Sequence, residues 1–508
     1  MLRFLSIDRS QALYGFLLIF ISTSILYIST SWGPGTSPDS VEYLLAAESI
    51  ANPNIPIDIN THWAPMYPVL LAATISLVDN LIASGRWLHI VLFGFNTFLF
   101  YLVTIKLFNI SNYLRVMATL VFALLPVSLG IHYMMWSEVP FISTLLLSVL
   151  ALYKWYQEQS LRSLLHIGIL LTLLCLFRYA GVAFVGAFCI LIFFISKHSL
   201  KHRLLSTFLL AICSILPTFL FMLITNSQSN TTSTRHFAIH IVDWERVITV
   251  PKIIISWFTS MPTIFSILMA ISIVYSLFCL FRQSSFKSNS IQPKPIAIHL
   301  ISIVFTYIIF LFTSISFFDY YSHIQSRILF PLWPLILLII LAGLQGIKNH
   351  KYRTIAASLI FVPLLAWGIP ISLDATIFRA NSGFGYFSPG FRQQEIIAVL
   401  NVPQTKPIYS NAPNVLQIYF GIYTEELPRL IDIINAKPYP DYEEKMNILI
   451  DQCLNGEIQI VYFQAFAWRE YYPKESVLLD KLASVILYRG PDGIIFDAEI
   501  LQIIKPPE

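Results

Sequence analysis

The sequence predicts an all-α polytopic membrane bundle of about eleven transmembrane helices, followed by a small C-terminal α/β domain. Three observations predict it. Apolar runs of roughly 20 residues recur between residues 11 and 371, and a helix of that length crosses about 30 Å of hydrocarbon. Charged residues are only 12% of the 508, about half the share of a soluble domain. Beyond residue 371 polar and charged residues return at ordinary soluble density. A soluble globular chain is excluded.

The spans fall at about 11–30, 86–108, 114–131, 138–155, 162–178, 180–196, 204–224, 259–281, 296–315, 328–346 and 354–371. The first follows Arg3 and Arg9, as a signal peptide would, but it is long and lacks a small-residue cleavage site, so it reads as a retained helix. Met66–Val78 is apolar but too short to span and reads as an interfacial or re-entrant helix. With the N-terminus in the cytoplasm, fifteen Lys and Arg fall on inner segments. Six fall on outer ones before residue 372: Arg86, Arg178, Arg235, Arg246, Lys252 and Arg327. Positive charge gathers on the cytoplasmic side, so the expected location is the plasma or inner membrane, with residues 31–68 and the C-terminal tail both outside the cytoplasm. The five cysteines show neither metal spacing nor a disulfide framework: four lie in apolar spans and Cys453 stands alone in the tail.

The expected organisation is a membrane domain over 1–371, whose first loop (31–68) carries juxtamembrane helices, and a soluble α/β domain over 372–508. In the tail, Pro407–Ser410 and Ile458–Phe463 read as buried strands, and Asn414–Phe420 and Tyr442–Asn455 as helices. Ser484–Arg489 and Gly493–Asp497 read as a hairpin around Gly490-Pro491-Asp492.

The candidate chemistry lies at the outer ends of the spans. The first loop holds Asp39, Glu42, Glu48 and Asp58, no Lys or Arg, and ends in Trp63-Ala64-Pro65-Met66-Tyr67-Pro68. Asp39, Glu42 and Tyr43 sit within one turn of a helix opened by Ser37-Pro38. Asp39 reads either as that helix's N-cap, with Glu42 completing an acidic capping box, or as a chemical group at the water boundary. Glu138, in Trp136-Ser137-Glu138-Val139-Pro140-Phe141, stands at the mouth of the bundle. A carboxylate there is costly to bury, which makes it a functional candidate; its other reading is favourable placement at a helix N-terminus behind Ser137. Arg178 and Arg327 offer forked donors that suit phosphate, or else snorkel or pair with a carboxylate. Asp319, Tyr320, Tyr321 and His323 share the loop before Arg327, and His62 precedes the aromatic knot. No Walker loop, dinucleotide fingerprint, HExxH or GxSxG is present, so cytoplasmic nucleotide chemistry has no support.

An acidic first outer loop ending in a Pro/Tyr knot, Glu138 at the junction near spans three and four, and Arg327-Ile328-Leu329-Phe330-Pro331 opening a late span together resemble the GT-C superfamily of glycosyltransferases. The similarity is nearest to the branch of protein O-mannosyltransferases and aminoarabinose transferases, and by layout it covers about residues 10–345. The chain departs from the branch's Asp-Glu pair, since Ser40 follows Asp39, and its knot has Ala64-Pro65 for Pro-Pro. The resemblance implies transfer of a hexosyl or pentosyl unit, with inversion, from a polyprenyl-phosphate donor to an acceptor hydroxyl on lipid, polysaccharide or protein. It implies Asp39 as general base, Glu138 orienting acceptor or sugar, and Arg327 with Arg178 holding the carrier phosphate. Glu42, Tyr43, Trp63, Tyr67, Tyr320 and His323 would line the substrate. Acidic groups beside a phosphate are able to bind Mg²⁺ or Mn²⁺, although this spacing does not require a metal. The rival readings are a lipid-linked oligosaccharide polymerase or ligase, a transporter or flippase, and a scaffold with a partner-binding tail. Few ionisable residues lie mid-span, where a transport path leaves its mark, and no large later loop dominates.

Overall fold

In the computed structural model the described residues are 7–54, 62–228, 239–259, 261–282, 293–318, 323–400, 406–421, 424–432 and 437–498. The bundle is built from α1 (Arg9–Ser29), α2 (Pro38–Ala51), α3 (Met66–Val78), α4 (Leu81–Leu107), α5 (Asn112–Leu124), α6 (Pro126–Tyr133), α7 (Glu138–Glu158) and α8 (Leu161–Phe177). It continues through α9 (Gly181–Ile195), α10 (Leu200–Gln228), α11 (Trp244–Ser256), α12 (Thr263–Arg282), α13 (Pro293–Phe317), α14 (Ser326–Leu329), α15 (Leu332–Gly346) and α16 (His350–Ser382).

Every expected span is helical, but the spans are not alike. Among the described residues α1, α4, α7, α10, α12, α13 and α16 are long and apolar enough to cross a membrane alone. The expected span at 114–131 is the pair α5 and α6, bent by 52°. Proline at 126 has no N–H and pushes the preceding residue out of the helical region; Leu125 is extended, with φ −72° and ψ 149°. Helices α8, α9 and α15 have 17, 15 and 15 residues. At 1.5 Å per residue they reach roughly 22–26 Å, less than a full hydrocarbon core. Helix α3 has the 13 residues expected of the interfacial segment and packs on α2, α4 and α8. Helix α11, inside the outer loop at 225–258, was not anticipated.

The expected boundary at residue 371 is corrected, because it falls inside α16. That helix runs eleven residues further and stops where Gly383 adopts φ +65°, a conformation glycine takes without steric cost. Two residues on, Gly385 (φ +81°) lies so close to the Thr36 backbone that a Cβ has no room. The Tyr386 amide then donates to Thr36 Oγ1 at 2.8 Å. The exit from the membrane domain is thus fastened to the first loop.

Beyond it lie α17 (Pro389–Arg392), α18 (Glu395–Val399), β1 (Ile408–Ser410), α19 (Pro413–Phe420), β2 (Thr424–Glu426), α20 (Tyr442–Leu454), β3 (Gln459–Phe463), α21 (Glu475–Leu482), β4 (Ile486–Gly490) and β5 (Gly493–Phe496). The sheet order is β2-β1-β3-β5-β4. β1 is parallel to β2 and β3, while β5 is antiparallel to β3 and β4. Strand and helix positions match the sequence reading to within a few residues. α17, α18, β2 and α21 were missed; in β2, Thr424-Glu425-Glu426 has no apolar alternation to mark a strand.

Residues alternate across a strand, and here the two faces of the sheet have separate cores. Ile460, Tyr462, Ile494 and Phe496 pack with α20 and α21. Val461, Phe463 and Ile495 pack with Tyr386, Val415 and Val41. Val41 belongs to α2, whereas Tyr43, Leu44 and Ala47 of the same helix lie in the core of the membrane bundle. One short helix therefore joins both cores. Gly385→Ala should lower the unfolding temperature in detergent, because a left-handed φ and a blocked Cβ together cost more than about 1 kcal/mol; an unchanged temperature would show that this fastening contributes little.

Candidate active site at the end of the bundle

The first loop is held against the junction of α6 and α7. The Gly35 amide donates to Tyr133 O, and the Met135 amide to Gly35 O, each at 2.9 Å. A side chain at Gly35 would run into the Tyr133 ring and the Met134 sulfur, so the close approach needs glycine. Helix α2 then starts with Ser37 as N-cap, Pro38 at the first helical position and Ser40 Oγ accepting from the Ser37 amide at 3.0 Å. The capping reading of Asp39 is therefore corrected. Ser37 and Ser40 close the helix end, and Asp39, one residue inside, directs its carboxylate to Arg327.

Three other elements bring charged groups to the same place. Glu138 is the first residue of α7, fully buried. Ser137, before it, makes no cap bond and shares a hydrogen bond with the Tyr43 hydroxyl at 3.2 Å. Arg178 ends α8 at a tight turn into α9, where a Cβ on Gly181 would meet the Leu174 carbonyl. Arg327 sits on α14, which is pinned by Tyr307 Oη donating to Ile328 O at 2.6 Å and by Trp257 Nε1 donating to Ser326 Oγ at 3.3 Å.

The four groups form a chain of ion pairs. Arg327 donates through Nη1 to Asp39 Oδ2 and through Nε to Glu138 Oε1, and Arg178 Nη1 pairs with that same Glu138 oxygen. Two carboxylates and two guanidinium groups balance. Burial works against the charge on Arg327, but Glu138 and Asp39 outweigh it and hold the guanidinium above the ordinary arginine pKa. Glu138 Oε2 has no hydrogen-bond partner among the described residues. Trp136 lies with its ring 4.3 Å from the Arg327 guanidinium carbon and donates from Nε1 to Ser37 Oγ at 2.8 Å. It therefore touches both the arginine and the cap of the helix bearing Asp39.

An aromatic wall stands beside the ion pairs. Tyr43 packs edge-on against Trp63 (5.4 Å) and Tyr67 (4.9 Å), and the Tyr179 hydroxyl holds the Trp63 carbonyl at 3.0 Å. Burial, then the charge of Asp39, pushes the Tyr43 phenol well above its usual pKa, so it stays neutral. Behind the wall a buried polar chain runs inward. Tyr67 Oη meets His89 Nε2 at 2.6 Å, and His89 Nδ1 meets His132 O at 3.0 Å. Asn96 Nδ2 joins His132 Nε2 and Val139 O, each at 3.0 Å, which steadies α7 one residue past Glu138.

The sequence-derived candidates thus fall into groups. Asp39, Glu138, Arg178 and Arg327 meet. Both arginines are engaged by carboxylates, the second of the two readings that the sequence left open for them. Tyr43 and Tyr67 are buried and hydrogen-bonded, so they support the wall; Trp63 is half-buried. Glu42 accepts from Asn414 Nδ2 of α19 at 2.6 Å and faces the C-terminal unit. His62 packs edge-on against Trp63, 4.6 Å between rings. His323 is exposed in a coil. Tyr320, with Asp319 and Tyr321, lies outside the described residues. No group of three or more His, Cys, Asp or Glu side chains able to hold a metal ion forms among the described residues. Trp136, Ser37, Asn414 and Tyr386 were not foreseen. Trp136 and Ser37 each stood two residues before a carboxylate already singled out.

The fold is shared with a solved structure over nearly the whole length of both chains. The chain superposes on the crystal structure of ArnT from Cupriavidus metallidurans bound to undecaprenyl phosphate with a TM-score of 0.61 and 11% identity, covering 95% of this chain and 97% of that one. Residues 62–240 match the family model of dolichyl-phosphate-mannose-protein mannosyltransferases. Two further structures match with lower scores. The S. cerevisiae protein O-mannosyltransferase Pmt1-Pmt2 complex bound to the sugar donor has a TM-score of 0.37 and 17% identity, over 46% of this chain and 36% of that one. Arabinosyltransferase EmbB from Mycobacterium smegmatis has a TM-score of 0.44 and 13% identity, over 83% and 43%. No curated protein sequence matches the chain.

Removing one member of a buried ion pair leaves an uncompensated charge and costs about 3–5 kcal/mol. Arg178→Gln should therefore lower thermal stability sharply, and adding Glu138→Gln should restore most of the loss. Additive losses in the double variant would show that the two groups are not coupled.

Proposed function

We propose that the protein transfers a sugar from a polyprenyl-phosphate carrier to an acceptor hydroxyl at the membrane surface, in one inverting displacement with Asp39 as general base. The observation that carries this reading is the junction of Asp39, Arg327, Glu138 and Arg178 at one end of an apolar bundle. A lipid-borne phosphate would meet guanidinium groups there, and a hydroxyl would meet a carboxylate.

The ion-pair chain suggests how the parts act in turn. The donor phosphate competes with Asp39 for Arg327, because a guanidinium fork suits phosphate oxygens as well as carboxylate. Once Arg327 turns to the phosphate, Asp39 is released and can accept a proton. Arg178 stays on Glu138 and keeps that buried carboxylate compensated during the exchange. The acceptor oxygen then bonds to the anomeric carbon while the bond from that carbon to the phosphate oxygen breaks. The acceptor proton passes to Asp39 and the bonding pair leaves with the phosphate. Negative charge on the phosphate grows as the bond breaks, so Arg327 binds the transition state more strongly than the bound donor, which is what lowers the barrier. Glu138 Oε2, lacking a partner, accepts from a sugar or acceptor hydroxyl, and Trp63 offers an aromatic face to the sugar or the prenyl chain.

The positive-inside distribution of Lys and Arg favours this end of the bundle, with the C-terminal unit above it, on the extracytoplasmic side. In lipid nanodiscs containing radiolabelled polyprenyl-phosphate sugars, wild type should release sugar to an acceptor. Asp39→Asn should slow transfer by about 100-fold or more, the scale of lost general-base catalysis. Full activity in that variant would overturn the assignment. Chelation of divalent ions is expected to leave the wild-type rate unchanged, and loss of transfer on chelation would add a metal to the scheme.

A further inference from the structure

Arg469, in the C-terminal unit, is set apart from the other buried cations. It follows the short 3₁₀ turn Gln464–Phe466 and is only 7% exposed. Nη1 donates to Asn411 O at 2.7 Å, and the guanidinium carbon lies 5.0 Å from the Phe466 ring and 5.6 Å from the Trp468 ring. Nε is buried and has no partner, and among the described residues no carboxylate pairs with this arginine. Arg178 and Arg327 are each met by carboxylate; Arg469 is met by a carbonyl and two rings. A buried guanidinium with an unused Nε donor and, among the described residues, no carboxylate partner is an electrostatically incomplete arrangement. An oxyanion completes it.

Its position gives the anion a place in the reaction. Phe466, on which Arg469 lies, packs against Tyr386 with 5.6 Å between ring centroids. The Tyr386 amide is bonded to Thr36, three residues before Asp39. Asn411, which holds Arg469, is followed by α19, whose Asn414 binds Glu42 one turn along α2 from Asp39. Arg469 is thus linked to the helix bearing Asp39 through Phe466, Tyr386 and Thr36 on one side and through Asn411 and Asn414 on the other.

We propose that Arg469 is a second anion-binding residue of this protein, contributed by the C-terminal unit, and that the acceptor it orients carries an oxyanion near the hydroxyl that receives the sugar. The part of this inference that concerns the acceptor rests on the transferase reading; the anion site does not. The anion can reach it on a soluble sugar or on a lipid headgroup, and the two sources are separated by the probes used.

The full-length protein in phosphatidylcholine nanodiscs, saturated with polyprenyl phosphate so that Arg327 is occupied, would be titrated calorimetrically with glucose 6-phosphate and with glucose. A parallel set of nanodiscs would contain phosphatidic acid. Wild type should bind the phosphorylated sugar and not glucose. Arg469→Gln should weaken that binding by about tenfold or more, the scale of a lost charge-assisted hydrogen bond, and Arg469→Lys should recover part of it. If phosphatidic acid abolishes the glucose 6-phosphate signal, the lipid-borne anion is the preferred source; if not, the soluble one is. The wild-type titration decides even where Arg469→Gln fails to fold: no binding of glucose 6-phosphate beside saturating carrier overturns the site, as does equal binding by wild type and a folded Arg469→Gln. The transfer assay on Asp39→Asn is read separately, so loss of the transferase reading and loss of this anion site give different results.

Discussion

Glu138 is a carboxylate with no exposed surface at the first residue of a membrane helix, and the arrangement around it follows from that fact. An ionised carboxylate taken out of water is tolerated only when paired and hydrogen-bonded. Arg178 and Arg327 do this from two different helical elements. Once Arg327 is fixed on Glu138, its remaining donors reach Asp39. Asp39 in turn is held by a helix whose cap is bonded to Trp136, beneath the same arginine. Charge balance within the bundle thereby sets the position of a group in the first loop, 99 residues before Glu138 in sequence.

Helix α2 carries this constraint to the C-terminal unit. Its Tyr43, Leu44 and Ala47 enter the core of the bundle, its Val41 enters the core of the sheet, and the third side presents Asp39 and Glu42. A helix gripped on two faces leaves its remaining face little freedom, which is what positioning of a reacting group requires. Tyr386, Asn414 and Phe466 make the C-terminal unit part of the wall around Asp39 and not an appendage.

Much of this was legible in the sequence. Helix positions followed from apolar runs, and the strands of the tail from short alternating segments between turn residues. The four charged groups could be singled out because a charge at a helix end in a chain so apolar is uncommon. Their pairing could not be read, because Asp39 and Arg327 are brought together only by tertiary packing across 288 positions. Asp39 was ambiguous for a local reason: Ser37, Asp39 and Glu42 each have a side chain that can cap, and the choice of Ser37 depends on Pro38 taking the first helical position. The bend before Pro126 was visible as a proline but not as an angle. Arg469 gave no signal, since its lack of a counter-charge is a property of its surroundings alone.

The central claim is that Asp39 and the carrier phosphate compete for Arg327. The most direct test is the dissociation constant of polyprenyl phosphate for wild type and for Asp39→Asn, measured in the same nanodiscs. The account predicts several-fold tighter binding to the variant, because its competitor for the guanidinium has been neutralised, even though that variant transfers sugar far more slowly. Unchanged or weaker binding would contradict the exchange and leave Arg327 as a structural counter-ion.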